Sequence, residues 1–259
     1  MDKNYIILLP KQMNAIFQTI VSGLMNLFYT TDIHKGLLAL PEEEARHCIQ
    51  VLRHKVGDII HIVDGQGGFY KAEIVEAGKK KCIARQLESQ YSFGRRPFYL
   101  HLAIAPTKNI DRLEWFLEKA TEIGVDEITP ILCEHSERRQ LRHDRLEKVL
   151  LAAMKQSLKA FLPRLNELAP LSALLRQEAS QEGRKLIAYL GEGVIGHLKD
   201  NYRAGENVCI LIGPEGDFSP AEASASQEAG FLPVSLGPSR LRTETAGLAA
   251  CHIVNLINE

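Results

Sequence analysis

Residues 212–222 read IGPEGDFSPAE and residues 236–250 read LGPSRLRTETAGLAA. Each follows an apolar, strand-like run, NVCILIG and FLPVSL, and each leads into a helical pattern, so both fall where α/β proteins bind ligands, at strand ends. In the first, Ser219-Pro220-Ala221-Glu222 predicts a capping box with proline at the first helical position. Gly213 and Gly216 would let backbone amides approach a ligand closely, Pro214 would stiffen the loop, and Glu215 would set a carboxylate at its tip. A tight turn with a solvated glutamate fits these residues equally well. The second segment is less easily read as a plain turn. Arg240 and Arg242 sit at a helix entry, whose positive dipole end they do not favour, which points to a ligand or nucleic-acid phosphate. The small residues Ala246, Gly247, Ala249 and Ala250 that follow leave room for close packing.

Working upstream, strand KLIAYL and the loop LGEGVIG (190–196) match the dinucleotide fingerprint G-x-G-x-x-G, with Glu215 about twenty residues on. The stretch that follows, HLKDNYRAGE, is short and polar and lacks the apolar stripe of a crossover helix. Farther upstream, FYLHLAIA and DEITPILC read as strands. Between them KNIDRLEWFLEKATEIG carries an apolar stripe at Ile110, Leu113, Phe116 or Leu117, Ala120 and Ile123, closed by Gly124. Helices are expected at about 144–159, 171–181, 220–229 and 243–258. Strands alternating with helices predict a mostly parallel α/β sheet covered on both faces.

The N-terminal part has a different texture. PEEEARHCIQVLRHKVGD (41–58) predicts a short helix, with Pro41 at its first position and its end near Gly57. DIIHIVDG, FYKAEIVEAG and KKKCIARQLES then predict a small β domain closed by hairpins. QYSFGRRPF reads as a linker. The expected domains are 25–95 and 96–259, with residues 1–24 an extension outside the fold and translation starting at Met25.

With 31 Lys plus Arg against 32 Asp plus Glu, net charge says nothing about partners. The five cysteines are scattered and unpaired in spacing, which fits buried thiols in a reducing cytoplasm and gives no metal site. The apolar run at 15–24 is far short of the roughly 20 residues that span a bilayer, so no membrane segment is expected.

Four segments, HCIQVLRHKVGD, DRLEWFLEKATEIGVDEITP, IGPEGDFSPAE and LGPSRLRTETAGLAA, together resemble the ribosomal RNA small-subunit methyltransferase E family, in the family's order and from Met25 to the C-terminus. The resemblance implies methylation of a uridine N3 in 16S ribosomal RNA of the small ribosomal subunit, with S-adenosyl-L-methionine as cofactor. It also implies a SPOUT-type C-terminal domain with a deep trefoil knot, a PUA-like N-terminal β-barrel and a homodimer. Carried over by position, the cofactor residues are Leu190, Gly191, Ile212, Gly213, Pro214, Gly216, Leu236, Gly237, Leu241, Thr245 and Ala246. One position departs from the family pattern, which has a second glycine where this chain has Asp217.

Uridine N3 carries a proton, so such a site needs a base or a cation that stabilises charge on the uracil oxygens. Arg242 suits the cation, and Glu215 or Glu244 the base, although a helix-start carboxylate explains Glu244 as well. Arg53, Lys55, Lys80, Arg95, Arg138 and Arg139 are candidate RNA phosphate contacts, as is Arg96. Two other readings stay open: an RNA-binding module without catalysis, and an NAD-dependent oxidoreductase resting on Gly191–Gly196.

Overall fold

In the computed structural model, the described residues are 26–259 apart from 192, so the expected extension at 1–24 lies outside them. The chain divides into two compact units, one running to Phe93 and taking in Leu158–Ala160, the other formed by Gly94–Ser157 and Phe161–Glu259.

In the first unit, the period-two alternation seen in sequence yields β1 (Leu27–Tyr29), β2 (Ile33–His34), β3 (Leu37–Leu40), β4 (Ile59–Val63), β5 (Phe69–Ala77) and β6 (Cys82–Gln90). They make one sheet in the order β1-β4-β5-β6-β3-β2. Only the β1–β4 pair is parallel. Phe28, Leu38, Ile62 and Ile74 are fully buried in its core. The β4–β5 turn is organised by Asp64, whose carboxylate accepts from the N–H groups of Gln66 and Gly68 and from the Tyr70 hydroxyl. Gly68 has no room for a side chain, because a Cβ there would lie 2.2 Å from Asp64 Oδ2.

The helix expected from Pro41 to Gly57 is shorter. Pro41 is its N-cap rather than its first residue, α1 spans Glu42–Arg46, and a wider π turn continues over His47–Val51. Arg53, with φ of 61°, then turns the chain out of helical conformation.

The second unit alternates strands and helices: β7 (Leu100–Ile104), α2 (Ile110–Ile123), β8 (Glu127–Leu132), α3 (His143–Gln156), β9 (Arg164–Leu165), β10 (Ala169–Pro170), α4 (Leu171–Glu178), β11 (Arg184–Ala188), α5 (Leu198–Asn201), β12 (Val208–Ile212), α6 (Pro220–Glu228), β13 (Leu232–Val234) and α7 (Thr243–Ile257). The main path runs β10-β8-β7-β12-β11-β13, every pair parallel, with β9 also beside β8. Successive side chains of a strand face opposite ways, so a sheet covered on both sides builds two cores. Leu100, Leu102, Ile104, Ile210 and Ile212 join Leu113 and Phe116 of α2, Leu150 of α3 and Val254 of α7. Their neighbours Ala103, Cys209, Leu211 and Ile187 face Leu171, Leu174 and Leu175 of α4 and Phe218 and Phe231.

Helix boundaries follow local chemistry. The Asn109 side chain caps α2 at its start and Gly124, at φ 135°, closes it. Helix α6 has the reciprocal Ser219–Glu222 box. The segment 197–206 forms only the four-residue α5, with no crossover helix of the length that a dinucleotide fold requires. All five cysteines are buried and none is in a disulfide.

Candidate functional site

Three loops leave the sheet at neighbouring strand ends, after β11, after β12 and after β13, and form the walls of a cleft. Ala188, Tyr189 and Leu190 form one wall, Ile212, Gly213, Pro214, Glu215 and Asp217 a second. Leu236, Gly237, Ser239, Arg240 and Leu241 form the third, and Thr243 and Ala246 of α7 complete it. Hydrogen bonds tie the walls together. Thr243 Oγ1 donates to the Gly213 carbonyl at 3.0 Å, which joins the two C-terminal segments directly. Leu190 N–H lies 3.4 Å from Asp217 Oδ2. Tyr189 N–H donates to the Val234 carbonyl, and the Ser235 hydroxyl folds the next turn onto Gly237.

Of the cofactor residues carried over by resemblance, Leu190, Ile212, Gly213, Pro214, Leu236, Gly237, Leu241 and Ala246 line this cleft. Gly191, Gly216 and Thr245 do not, and two of the three have a packing reason for being glycine. A Cβ on Gly191 would meet the Tyr189 ring at 2.3 Å, and one on Gly216 would sit 3.0 Å from His135 Cβ. His135 donates through Nδ1 to the Asp217 carbonyl at 2.9 Å, and that bond raises its pKa above the ordinary histidine value. Glu222 extends its capping role by accepting from Glu134 N–H at 2.8 Å, so α6 also anchors the loop after β8.

Thr245 lies in a second, more open cleft that shares Arg240 and Leu241 with the first. Arg242 and Glu244 line it too, together with Asp111, Arg112 and Trp115 from α2. The three candidate catalytic residues therefore divide. Glu215 is exposed in the first cleft, where its Oε1 accepts from Lys108 N–H at 2.9 Å. Arg242 is exposed at the α7 N-cap without capping by its side chain. Glu244 is 7% exposed, with Oε1 3.8 Å from Arg112 Nε and Oε2 buried without a hydrogen-bond partner.

The basic residues behave differently from one another. Arg53 and Lys55 are exposed in the first unit, whereas Lys80 pairs with Glu42 at 3.0 Å. In the second unit Arg95 and Arg139 are exposed. Arg138 is spent on the backbone, donating to the carbonyls of Thr107 and Lys108. Arg96 is a correction to the phosphate-contact expectation: its guanidinium is internal, bound to Asp126, the Gly124 carbonyl and Asn255 Oδ1, and it stacks on Phe98.

Sequence reasoning assigned no cofactor contact to Tyr189 or Asp217 in the first cleft and no role to Arg112 or Trp115 in the second. Asp217 had a signal, as a non-glycine beside two glycines in a loop. Trp115 and Arg112 had none, because they read as the exposed face of an amphipathic helix. A buried cluster also went unseen: His101, Glu178 and Cys209, on β7, α4 and β12, bring ligand-type atoms within 4.8 Å of one another. The histidine ring is already partnered, by Glu178 at 3.3 Å and Thr129 at 2.7 Å. Among the described residues no helix is long and apolar enough to cross a membrane.

Comparison with known proteins gives this geometry its context. An RNA methyltransferase domain matches residues 95–255, and an RNA methyltransferase PUA domain matches residues 40–87. A solved structure of a probable rRNA-methyltransferase from Porphyromonas gingivalis is 44% identical, covers 90% of this chain and 98% of its own, and superposes with a TM-score of 0.83. Ribosomal RNA small subunit methyltransferase E from Neisseria gonorrhoeae, solved bound to S-adenosyl methionine, is 26% identical with the same coverage and a TM-score of 0.80. The protein of that name from Buchnera aphidicola is 29% identical over 82% of this chain and 84% of its own length. With a family domain spanning most of the chain and a 44% identical relative covered almost end to end, this chain belongs to the RNA methyltransferase family.

Proposed function

We propose that the protein methylates N3 of a uridine in 16S ribosomal RNA of the small ribosomal subunit, with S-adenosylmethionine as donor. The observation that carries this reading is the first cleft, walled by three loops at strand ends and opening beside an arginine-bearing second cleft. The atom methylated follows from the motif resemblance.

The first cleft fits such a cofactor in its chemistry. Leu190, Ile212, Leu236, Leu241 and Ala246 offer apolar contact for an aromatic base, and Glu215 and Asp217 set carboxylates in the same walls, suited to a cationic ligand. When bound, the cofactor supplies an electrophilic methyl group. The chain's own residues orient donor and acceptor, exclude water, hold negative charge on the uracil oxygens through Arg242, and receive the N3 proton on a carboxylate, Glu215 or Glu244.

In this reading the first unit is the RNA-binding domain, PUA-like and bounded near residue 95, and Arg53, Lys55, Arg95 and Arg139 contact phosphates. The second unit, 96–259, is the catalytic domain of SPOUT type, threaded as a deep trefoil knot and paired as a homodimer in the cytoplasm. The four-residue α5 speaks against the dinucleotide-dependent oxidoreductase, since its fold needs a full crossover helix.

Two measurements test the proposal. Calorimetric titration is expected to give saturable binding of S-adenosylmethionine and none of NAD. Small subunits from cells lacking the protein are expected to gain one 3-methyluridine on incubation with protein and cofactor, read by mass spectrometry of nuclease digests. RNA affinity without methyl transfer would leave the binding-module reading instead. RNA binding should also weaken steeply with salt.

A further inference from the structure

We propose that the second cleft is the seat of the target nucleotide, an unpaired pyrimidine stacked on Trp115, and that Glu244 rather than Glu215 accepts its ring N–H. The inference rests on the proposed methyl transfer and assigns its substrate side.

The two carboxylates differ in what they lack. Glu215 is exposed, and one of its oxygens is engaged by the Lys108 amide, a bond that holds the loop after β7 against the loop after β12. Glu244 is more than nine-tenths buried, and its Oε2 has neither a protein donor nor contact with water. A buried carboxylate oxygen without a donor is costly in a folded protein. Its other oxygen meets Arg112 only at 3.8 Å, the loose limit of an ion pair, and Arg112 is itself 41% exposed on its side chain and free to give way. The partner that Glu244 lacks is an N–H donor arriving from the cleft it lines. A uracil N3–H is such a donor.

The rest of the cleft suits a nucleotide. Trp115 is 43% exposed, although it lies on a helix whose other large apolar side chains are buried or partly buried. An exposed indole beside Arg112, Arg240 and Arg242 combines a stacking surface with fixed positive charge, the pairing by which proteins hold unpaired bases and their phosphates. Arg240 and Leu241 line both clefts, so a base held here adjoins the first cleft. In the step this implies, the N3–H bond breaks and Glu244 takes the proton. The freed N3 electron pair forms the N–CH3 bond as the S–CH3 bond breaks with its pair left on sulfur. A neutral base, a sulfonium and a carboxylate become a methylated base, a sulfide and a carboxylic acid.

Trp115 is the only tryptophan in the chain, so its fluorescence reports this contact without mutation. Titrating the full-length protein, saturated with the demethylated cofactor, with a ten-nucleotide oligouridylate at low salt is expected to quench that fluorescence in step with the anisotropy of the labelled RNA. Binding without quenching, or no binding, overturns the assignment. Glu244→Gln is expected to keep oligouridylate affinity within about twofold and to lower kcat on small subunits about 100-fold or more. Glu215→Gln, whose amide oxygen still accepts from Lys108 but which removes a carboxylate from the cofactor cleft, should raise the KM for S-adenosylmethionine while lowering kcat less than Glu244→Gln does; the opposite ranking in kcat overturns the role of Glu244. Trp115→Ala is expected to weaken oligouridylate binding about tenfold or more. If it instead changes only the sedimentation of the protein, the cleft is an interface between copies and the proposal falls. Calorimetry with S-adenosylmethionine separates these failures from failure of the methyltransferase reading, since that binding should survive in Glu244→Gln and Trp115→Ala, whose residues line the second cleft and not the first.

Discussion

Asp217 occupies a backbone conformation that suits glycine, with φ of 62°. A side chain thus stands where it carries a steric cost. The carboxylate offsets part of it locally, as Oδ1 accepts from Phe218 N–H at 2.8 Å and Oδ2 approaches Leu190 N–H across the first cleft. Asp217→Gly, which removes both strain and contacts, is expected to change stability by less than about 1 kcal/mol. Asp217→Ala keeps the strained Cβ and loses the contacts, so it should be less stable than wild type by about 1–2 kcal/mol in urea titrations. Equal stability of the two variants would count against this account. His135, bound to the carbonyl of the same residue, sets a pH dependence. Its folded-state pKa is raised above 6.5 by that hydrogen bond, so the stabilisation is complete below 6.5 and is lost as pH rises through the raised value. NMR titration of the His135 ring should give a midpoint above 6.5, and replacing His135 by Gln should remove that part of the alkaline decline in stability.

At the scale of elements, α7 connects the site to the core. Its first turn lines both clefts, and one turn on Gly247 packs so closely on the sheet and on α2 that a Cβ would lie 2.7 Å from the Phe116 ring and 2.9 Å from Ile104 Cδ1. Alanine at 247 would gain about 1 kcal/mol in helix propensity and lose about 1–3 kcal/mol in overpacking. We expect Gly247→Ala to destabilise by about 1–2 kcal/mol and to weaken S-adenosylmethionine binding, read by chemical denaturation and calorimetry. The run of small residues in α7 was legible in the sequence, as were the stripe of α2, the Gly124 cap and the α6 capping box, because each is written in residues close together in the chain. The two-residue strands β9 and β10 were not, since pairing with the distant β8 decides them, and the β2–β3 hairpin is local but too short to show an alternating pattern. The same limit applied to the clefts. Leu190, Gly213 and Leu241 stood in recognisable loops, whereas Trp115 and Arg112 join Glu244 only through the packing of α2 on α7. Periodicity alone reads α2's outer face as solvated.

Across the whole molecule, the two units use different sheet chemistry. The first is built largely from antiparallel hairpins between neighbours in the chain, the second from parallel pairs that need long connections. In the second unit the central β7 lies between β8, its near neighbour in sequence, and β12, reached only after four further strands. At that join Tyr99 donates to Asn207, a partner 108 residues away. Such a central seam has a kinetic meaning. Chain closure over that distance must precede any reward from pairing, and high contact order slows folding. The hairpins of the first unit should regain hydrogen-exchange protection early after dilution from urea. The amides of β12, and with them the floor of the first cleft, should be protected late, after β12 has docked beside β7. On this account the ability to bind ligand is among the last properties the newly made chain acquires, and protection of β12 ahead of the β5–β6 hairpin would refute it.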